Sequence, residues 1–115
     1  MAYFIGIDVG SVTTKAAIIQ DGELIVSHVI PSWANYKKAA QKVVEEILAK
    51  AGLSLSDIAH TIATGYGAGN VDFAGERVTY ISCCARGVHH LFPSVRTVID
   101  IGGQASKVIR VNDEG

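Results

Sequence analysis

Hydrophobic residues come in three short runs near the start of the chain. The first covers Tyr3 to Val9, the second Lys15 to Gln20 and the third Glu23 to Ile30. Asp21-Gly22 separates the second run from the third, and glycine tolerates the positive φ that a two-residue hairpin turn requires. The pattern therefore predicts three antiparallel strands.

A helical period follows these strands. Apolar side chains recur at spacings of three and four from Ala40 to Ala51, which places them on one face of a helix. Asn35 is positioned to cap the start of this helix, and Gly52 to end it. The pattern therefore predicts one amphipathic helix between the third strand and the rest of the chain.

The remainder of the chain alternates between strand and helix patterns. It predicts a β-branched strand, a second helix capped by Ser82, and two closing strands, at Ile58–Thr64, Cys83–Leu91, Val95–Ile101 and Lys107–Val111. Antiparallel hairpins combined with helical crossovers are typical of an α/β fold with a mixed sheet. We therefore expect the α/β class, with a mixed sheet flanked by helices.

The composition narrows the possible classes of function. The 115 residues are 49% hydrophobic and 18% charged, which suffices for one compact core and excludes a disordered chain. Ten basic against eleven acidic residues leave no basic surplus for nucleic acid. No apolar run approaches the length of a membrane span, and the N-terminus lacks a signal peptide pattern. We therefore expect a cytoplasmic protein with no nucleic-acid or membrane partner.

Two segments share one arrangement of chemical groups. Each runs from an apolar strand into Asp, a glycine turn, hydroxyl side chains and Lys: DVGSVTTK from Asp8 to Lys15, and DIGGQASK from Asp100 to Lys107. Glycine lets backbone N–H groups point at an anion, and Lys adds positive charge. The Asp carboxylate repels phosphate but can hold Mg²⁺ or its water, which then bridges to the phosphates. Two such hairpins facing each other would grip a polyphosphate from both sides.

Each turn also has a simpler interpretation. A plain hairpin needs Gly and Asp for steric reasons, although the repeated set of groups favours phosphate binding. Neither turn matches the P-loop or the dinucleotide fingerprint, because those place a helix directly after the glycines and here a strand follows. The glycine-rich segment Gly65 to Gly69 lacks an acidic residue at the ribose-binding distance and is interpreted as a loop.

These segments resemble the two phosphate motifs of the actin and hexokinase ATPase superfamily. More narrowly, TGYG at Thr64–Gly67, ISCCARGV at Ile81–Val88 and IDIGGQASK at Ile99–Lys107 are similar to BadF/BadG/BcrA/BcrD-type ATPases, the activators of 2-hydroxyacyl-CoA dehydratases. The resemblance covers essentially the whole chain. It implies an actin-like ATPase lobe with a ribonuclease H-like sheet at residues 1–94, and the first hairpin of a second lobe at 95–115.

The resemblance implies an activity, cofactors and partners. Such activators bind ATP or ADP with magnesium, and a homodimer holds one [4Fe–4S] cluster between its subunits. ATP hydrolysis then drives an electron from the cluster into a dehydratase or benzoyl-CoA reductase component. Because the family's proteins are longer than this chain, we expect the 115 residues alone to be inactive in hydrolysis.

Site residues follow from the resemblance position by position. Asp8 and Asp100 would be carboxylates on the magnesium side, Gln104 a further catalytic position and Cys83 the first cluster ligand. The phosphates would be surrounded on one side by Gly10, Ser11, Thr13, Thr14 and Lys15, and on the other by Gly102, Gly103, Gln104 and Ser106.

The sequence departs from the family pattern at three positions. Ala105 stands where Asp is usual, Tyr80 where an acidic residue is common, and Cys84 where His is usual. Cys84 points about 100° away from Cys83 around a helix, so we expect it to pack in the core. Two alternatives stay open: a non-catalytic dimerising module with a vestigial phosphate site, and a lobe of a sugar or acid kinase, which has no use for the cysteine.

Overall fold

The chain forms two compact units, Met1–Arg77 and Val78–Gly115, in a computed structural model that describes residues 2–102 and 106–115. The first unit contains a five-stranded sheet and the second a two-stranded sheet. This division into two units follows the contacts within the chain. The boundary after residue 94, which the family resemblance implies between two lobes, stays a prediction. Gly103, Gln104 and Ala105, which the sequence analysis singled out, lie outside the described residues.

The first unit is built on a mixed sheet. Its strands are β1 (Tyr3–Val9), β2 (Thr13–Gln20), β3 (Glu23–Pro31), β4 (Ile58–Thr64) and β5 (Glu76–Arg77), in the order β3-β2-β1-β4-β5. The first three strands pair antiparallel, whereas β4 runs parallel to β1 and β5 parallel to β4. The predicted mixed sheet and α/β class are confirmed. The two-residue strand β5 was not predicted, because a pattern of alternation needs more residues than it contains.

Local chemistry explains the boundaries of these elements. Asp21 and Gly22 both have positive φ, 53° and 76°, which is the turn that joins β2 to β3. Helix α1 (Tyr36–Ala51) begins where the Asn35 side chain accepts a hydrogen bond from the Lys38 N–H at 3.0 Å. It ends at Gly52, whose left-handed conformation has φ 70°. The predicted caps of α1 are therefore confirmed.

One face of the sheet carries the core of the first unit. Ile5, Ile7 and Val9 alternate along β1 and are buried in a cluster with the apolar face of α1, which includes Val43 and Ile47. Because side chains alternate across a strand, the residues between them face the other side of the sheet. Asp8 therefore lies on the face away from α1.

The second unit combines a helix with a hairpin. Helix α2 (Tyr80–Leu91) is followed by β6 (Thr97–Ile101) and β7 (Ser106–Arg110), which pair antiparallel. The helix begins three residues earlier than predicted, because its cap is Thr79 and not Ser82. The Thr79 hydroxyl accepts a hydrogen bond from the Ser82 N–H at 3.3 Å. In the described part of the chain, neither α-helix is long and apolar enough to cross a membrane.

Candidate nucleotide-binding site

The first candidate turn joins β1 to β2 and brings a carboxylate and an ammonium group together. Asp8 and Lys15 are register partners in the two strands. The Lys15 Nζ lies 3.4 Å from the Asp8 Oδ2, and both side chains are partly exposed, by 38% and 25%. An ion pair with this exposure remains open to a ligand at its solvent side. The structure therefore brings together two of the residues that the sequence analysis placed at one phosphate site.

Gly10 allows the lysine to approach the turn closely. The Lys15 Nζ donates to the Thr13 carbonyl at 2.9 Å and contacts the Thr13 hydroxyl at 3.0 Å. The Gly10 N–H donates to the same Thr13 carbonyl at 2.9 Å. A Cβ at Gly10 would lie 2.7 Å from that carbonyl oxygen and 3.0 Å from Nζ. A side chain at this position would therefore displace the ammonium group.

The opposite side of the same turn is fastened to the end of β3. The Thr14 and Ser32 hydroxyls lie 2.7 Å apart, and the Ser32 hydroxyl donates to the Gly10 carbonyl at 2.6 Å. Both side chains are fully buried. Thr14 therefore occupies the opposite face of β2 from Thr13 and Lys15, where its hydroxyl supports the turn. Sequence reasoning missed Ser32, which follows Pro31 without any motif around it.

The tip of the turn presents backbone donors. Ser11 and Val12 lie between the strands, and within residues 2–102 and 106–115 their N–H groups donate to no backbone carbonyl. Val12 is exposed and Ser11 partly so. Unpaired N–H groups in a glycine-containing turn are the donors that an anion site requires.

A third element, the segment after β4, closes against the first turn. Thr64 is the register partner of Asp8 in the parallel β1–β4 pair. The Gly67 N–H donates to the Val9 carbonyl at 2.8 Å, which ties this segment to the end of β1. A Cβ at Gly65 would collide with the Asp8 Oδ1. The TGYG segment, interpreted from sequence as a loop, therefore packs directly on the predicted magnesium-side carboxylate.

The second candidate turn belongs to the hairpin of β6 and β7. Asp100 and Lys107 are register partners, and Ile101 stands opposite Ser106. The Lys107 Nζ lies over the Tyr80 ring, 5.1 Å from its centroid. Among the described residues no ion pair joins Asp100 to Lys107. Gly102 lies directly after β6, whereas Gly103 and Gln104 are outside the described residues.

The two cysteines lie in the first half of α2. Neither cysteine forms a disulfide, and both are partly buried. The Cys83 N–H donates to the Thr79 carbonyl at 3.1 Å, the first bond of the helix, so Cys83 lies one turn inside the helix and not at its first position. Within the described part of the chain, no group of three or more His, Cys, Asp or Glu side chains is placed to hold a metal ion. The role of Cys83 as a cluster ligand therefore stays a prediction.

The first turn fits a magnesium-bound phosphate. A carboxylate oxygen is the ligand type that Mg²⁺ prefers. Gly10 and Gly65 leave the spaces beside Lys15 and Asp8 that a Cβ would fill. The Thr64 hydroxyl is buried and has no hydrogen-bond partner among the described residues. An orphaned hydroxyl beside a carboxylate is consistent with an additional water or ligand at this place.

Comparison with known proteins defines the class. Residues 5–115 match the BadF/BadG/BcrA/BcrD ATPase family, and the chain belongs to that family. It is 42% identical, over 98% of its length, to the activator of lactoyl-CoA dehydratase from Anaerotignum propionicum. The chain spans 44% of that relative, which is less than half.

Solved structures confirm the actin-like activator fold. The (R)-2-hydroxyglutaryl-CoA dehydratase component A of Acidaminococcus fermentans superposes with a TM-score of 0.94 at 36% identity, over 99% of this chain and 44% of that one. The activator of the 2-hydroxyisocaproyl-CoA dehydratase from Clostridium difficile, with bound ADPNP, superposes with a TM-score of 0.90 at 37% identity, over 96% of this chain and 41% of that one. The predicted family and its N-terminal portion are therefore confirmed.

Proposed function

We propose that this chain is the nucleotide-binding portion of an ATP-dependent activator of a 2-hydroxyacyl-CoA dehydratase. The observation that carries the proposal is the β1–β2 turn, where Asp8 and Lys15 face each other beside backbone N–H groups that donate to no backbone carbonyl in the described part of the chain. Two similar proteins support it: one is an activator of lactoyl-CoA dehydratase, and another was solved with bound ADPNP.

The residues of the first turn have different roles in binding the metal and the phosphates. Asp8 repels phosphate oxygens and therefore serves the metal or its waters, while Lys15 and the N–H groups of Ser11 and Val12 attract the phosphates. Gly10 keeps the ammonium close to the turn, and Thr13 orients it through two contacts. Bound Mg²⁺ would neutralise phosphate charge and polarise the phosphoryl oxygens.

The second turn is proposed to contribute further phosphate contacts. Asp100 would be its magnesium-side carboxylate, with Gly102 and Ser106 beside the phosphates. Gly103 and Gln104 are proposed from the family resemblance alone. In phosphoryl transfer most of the catalytic effect comes from positioning and electrostatic stabilisation, so these contacts would act together with an attacking water.

The cysteine helix is proposed to connect nucleotide hydrolysis to electron transfer. Cys83 would be one thiolate ligand of a [4Fe–4S] cluster shared between the subunits of a homodimer. The cluster would pass its electron to a dehydratase or benzoyl-CoA reductase-like component. The resemblance supports this role, as does the partly buried position of Cys83 in the first half of α2.

A titration with MgADP tests the nucleotide proposal. In amide NMR spectra of the ¹⁵N-labelled chain, millimolar MgADP should shift the signals of Gly10, Ser11 and Val12. Asp8→Asn should remove the dependence of this binding on magnesium. Asp72→Asn, which changes a carboxylate on the surface, is the matched control and should leave binding unchanged. Unshifted turn signals, or equal magnesium dependence in Asp8→Asn, would contradict the proposal.

One observation favours the dimerising module as a second candidate. Ile99, Ile101 and Val108 on β6 and β7 are each at least 70% exposed. Apolar strands exposed at a sheet edge are templates for pairing with another chain. A dimer in light scattering without any response to MgADP would favour this candidate over the activator.

A further inference from the structure

We infer that Thr64 and Gly65 belong to the nucleotide site: Gly65 gives the Asp8 carboxylate its room, and the Thr64 hydroxyl serves the water shell of the metal that Asp8 holds. The inference rests on the proposed nucleotide function. It assigns a role in that site to a segment whose sequence alone indicated an ordinary loop.

The strand pairing places Thr64 beside Asp8. The two residues are register partners at the carboxyl ends of β1 and β4, which run parallel. Their neighbours Ile7 and Ala63 are buried in the core under α1. Because side chains alternate along a strand, Asp8 and Thr64 both lie on the other face of the sheet.

The buried position of the Thr64 hydroxyl lowers the stability of the folded chain. It is only 7% exposed, and its Oγ1 is buried with no hydrogen-bond partner among the described residues. A buried hydroxyl without a partner forfeits the hydrogen bonds it makes to water in the unfolded chain. Valine has nearly the same shape and would avoid this cost. A ligand or water that the hydroxyl binds accounts for the threonine.

Gly65 is required by the carboxylate next to it. Its φ of 95° lies in a region that residues with a Cβ rarely adopt. An added Cβ would collide with the Asp8 Oδ1 and lie 2.7 Å from the Val9 carbonyl oxygen. Any larger residue at position 65 would therefore force the Asp8 carboxylate or the backbone to move.

The test separates a functional hydroxyl from a structural one. In the full 115-residue chain, the affinity for ADP is measured by NMR titration with and without Mg²⁺, and thermal unfolding is recorded without ligand. Thr64→Val should leave the unfolding temperature equal or raise it, because it removes an unsatisfied buried group. The same variant should reduce the magnesium-dependent gain in ADP affinity by about 3- to 10-fold.

Three further variants complete the experiment. Thr64→Ser keeps the hydroxyl and should keep most of the magnesium-dependent gain. Thr61→Val is the matched control, because Thr61 lies on the same strand with the same 7% exposure and should leave the gain unchanged. Asp8→Asn tests the proposed function itself and should abolish the gain.

The outcomes distinguish a failure of the role assigned to Thr64 from a failure of the proposed nucleotide-binding function. If Asp8→Asn abolishes the gain while Thr64→Val retains all of it, the role of Thr64 is wrong and the nucleotide function stands. If the wild-type chain shows no magnesium-dependent ADP binding, the proposed function and this inference both fail. A loss in Thr64→Val accompanied by an equal loss in Thr61→Val would show a general effect of the strand and would overturn the inference.

Discussion

The two hairpins carry the same set of groups but differ in how their surroundings hold them. In the β1–β2 hairpin, Asp8 and Lys15 form an ion pair at 3.4 Å. In the β6–β7 hairpin, the corresponding Lys107 lies over the Tyr80 ring instead. The same local motif therefore produces two different side-chain arrangements.

The difference arises from the neighbours of each hairpin. The first is flanked by β3, whose end reaches the turn through Ser32, and by β4, whose end packs against Asp8 through Gly65. The second is a two-stranded sheet with a largely exposed apolar face. A two-stranded hairpin is marginal by itself in water, whereas further strands make the pairing stable. Preorganisation of a phosphate turn thus depends on the strands beside it.

Gly65→Ala is expected to have the largest effect on the difference between the two hairpins. The new Cβ would meet the Asp8 carboxylate at a backbone conformation unfavourable for alanine, so the free energy of unfolding should fall by about 2–4 kcal/mol. Urea denaturation measures the loss. Gly69→Ala is the control, because nothing lies within 4 Å of its added Cβ, and it should change stability by less than about 1 kcal/mol. Equal stability of the two variants would show that Gly65 does not constrain the first turn.

The next largest effect is expected from Ser32→Ala. This change leaves the buried Thr14 hydroxyl and the Gly10 carbonyl without their partner, at a cost of about 1–3 kcal/mol. The double variant with Thr14→Val should cost less than the sum of the two single variants, because both hydroxyls belong to one network. Strict additivity in urea denaturation would contradict this coupling.

A smaller effect is expected where Lys107 contacts Tyr80. Tyr80→Leu removes the aromatic face under the ammonium group and should destabilise the second hairpin by about 0.5–1 kcal/mol. Amide hydrogen exchange at β6 and β7 would report this as faster opening. Tyr3→Leu, on the first sheet, serves as the control for loss of a tyrosine and should leave exchange at β6 and β7 unchanged.

The smallest effect on stability is expected from Ile101→Lys. Ile101 is 79% exposed, so its replacement should change the free energy of unfolding by less than about 0.5 kcal/mol. If the exposed face pairs two chains, as the dimerising module would require, the same change should convert dimer to monomer in light scattering. A dimer that persists in Ile101→Lys would place the subunit contact elsewhere.

Much of the first unit was predictable because its signals are local. The Asp21-Gly22 turn follows from the φ values that these residues tolerate, and the Asn35 and Gly52 caps follow from hydrogen bonds within a few residues. The start of α2 was predicted wrongly, because Thr79 and Ser82 are both good caps and sequence alone does not rank them. The family could be recognised because its motifs are short and continuous.

The sequence by itself determined the succession of strands and helices along the chain except for β5, together with the α/β class and the two Asp–Gly–hydroxyl–Lys segments. The tertiary structure decided which of those groups meet. It placed Thr13 with Lys15 but Thr14 with Ser32, and it brought Thr64 beside Asp8. The physical reason is the range of the interactions: turn and cap preferences act between residues a few positions apart, whereas strand pairing joins residues that are far apart in the chain. Sequence patterns indicate the local interactions directly. The residues that meet through strand pairing are known only from the folded sheet.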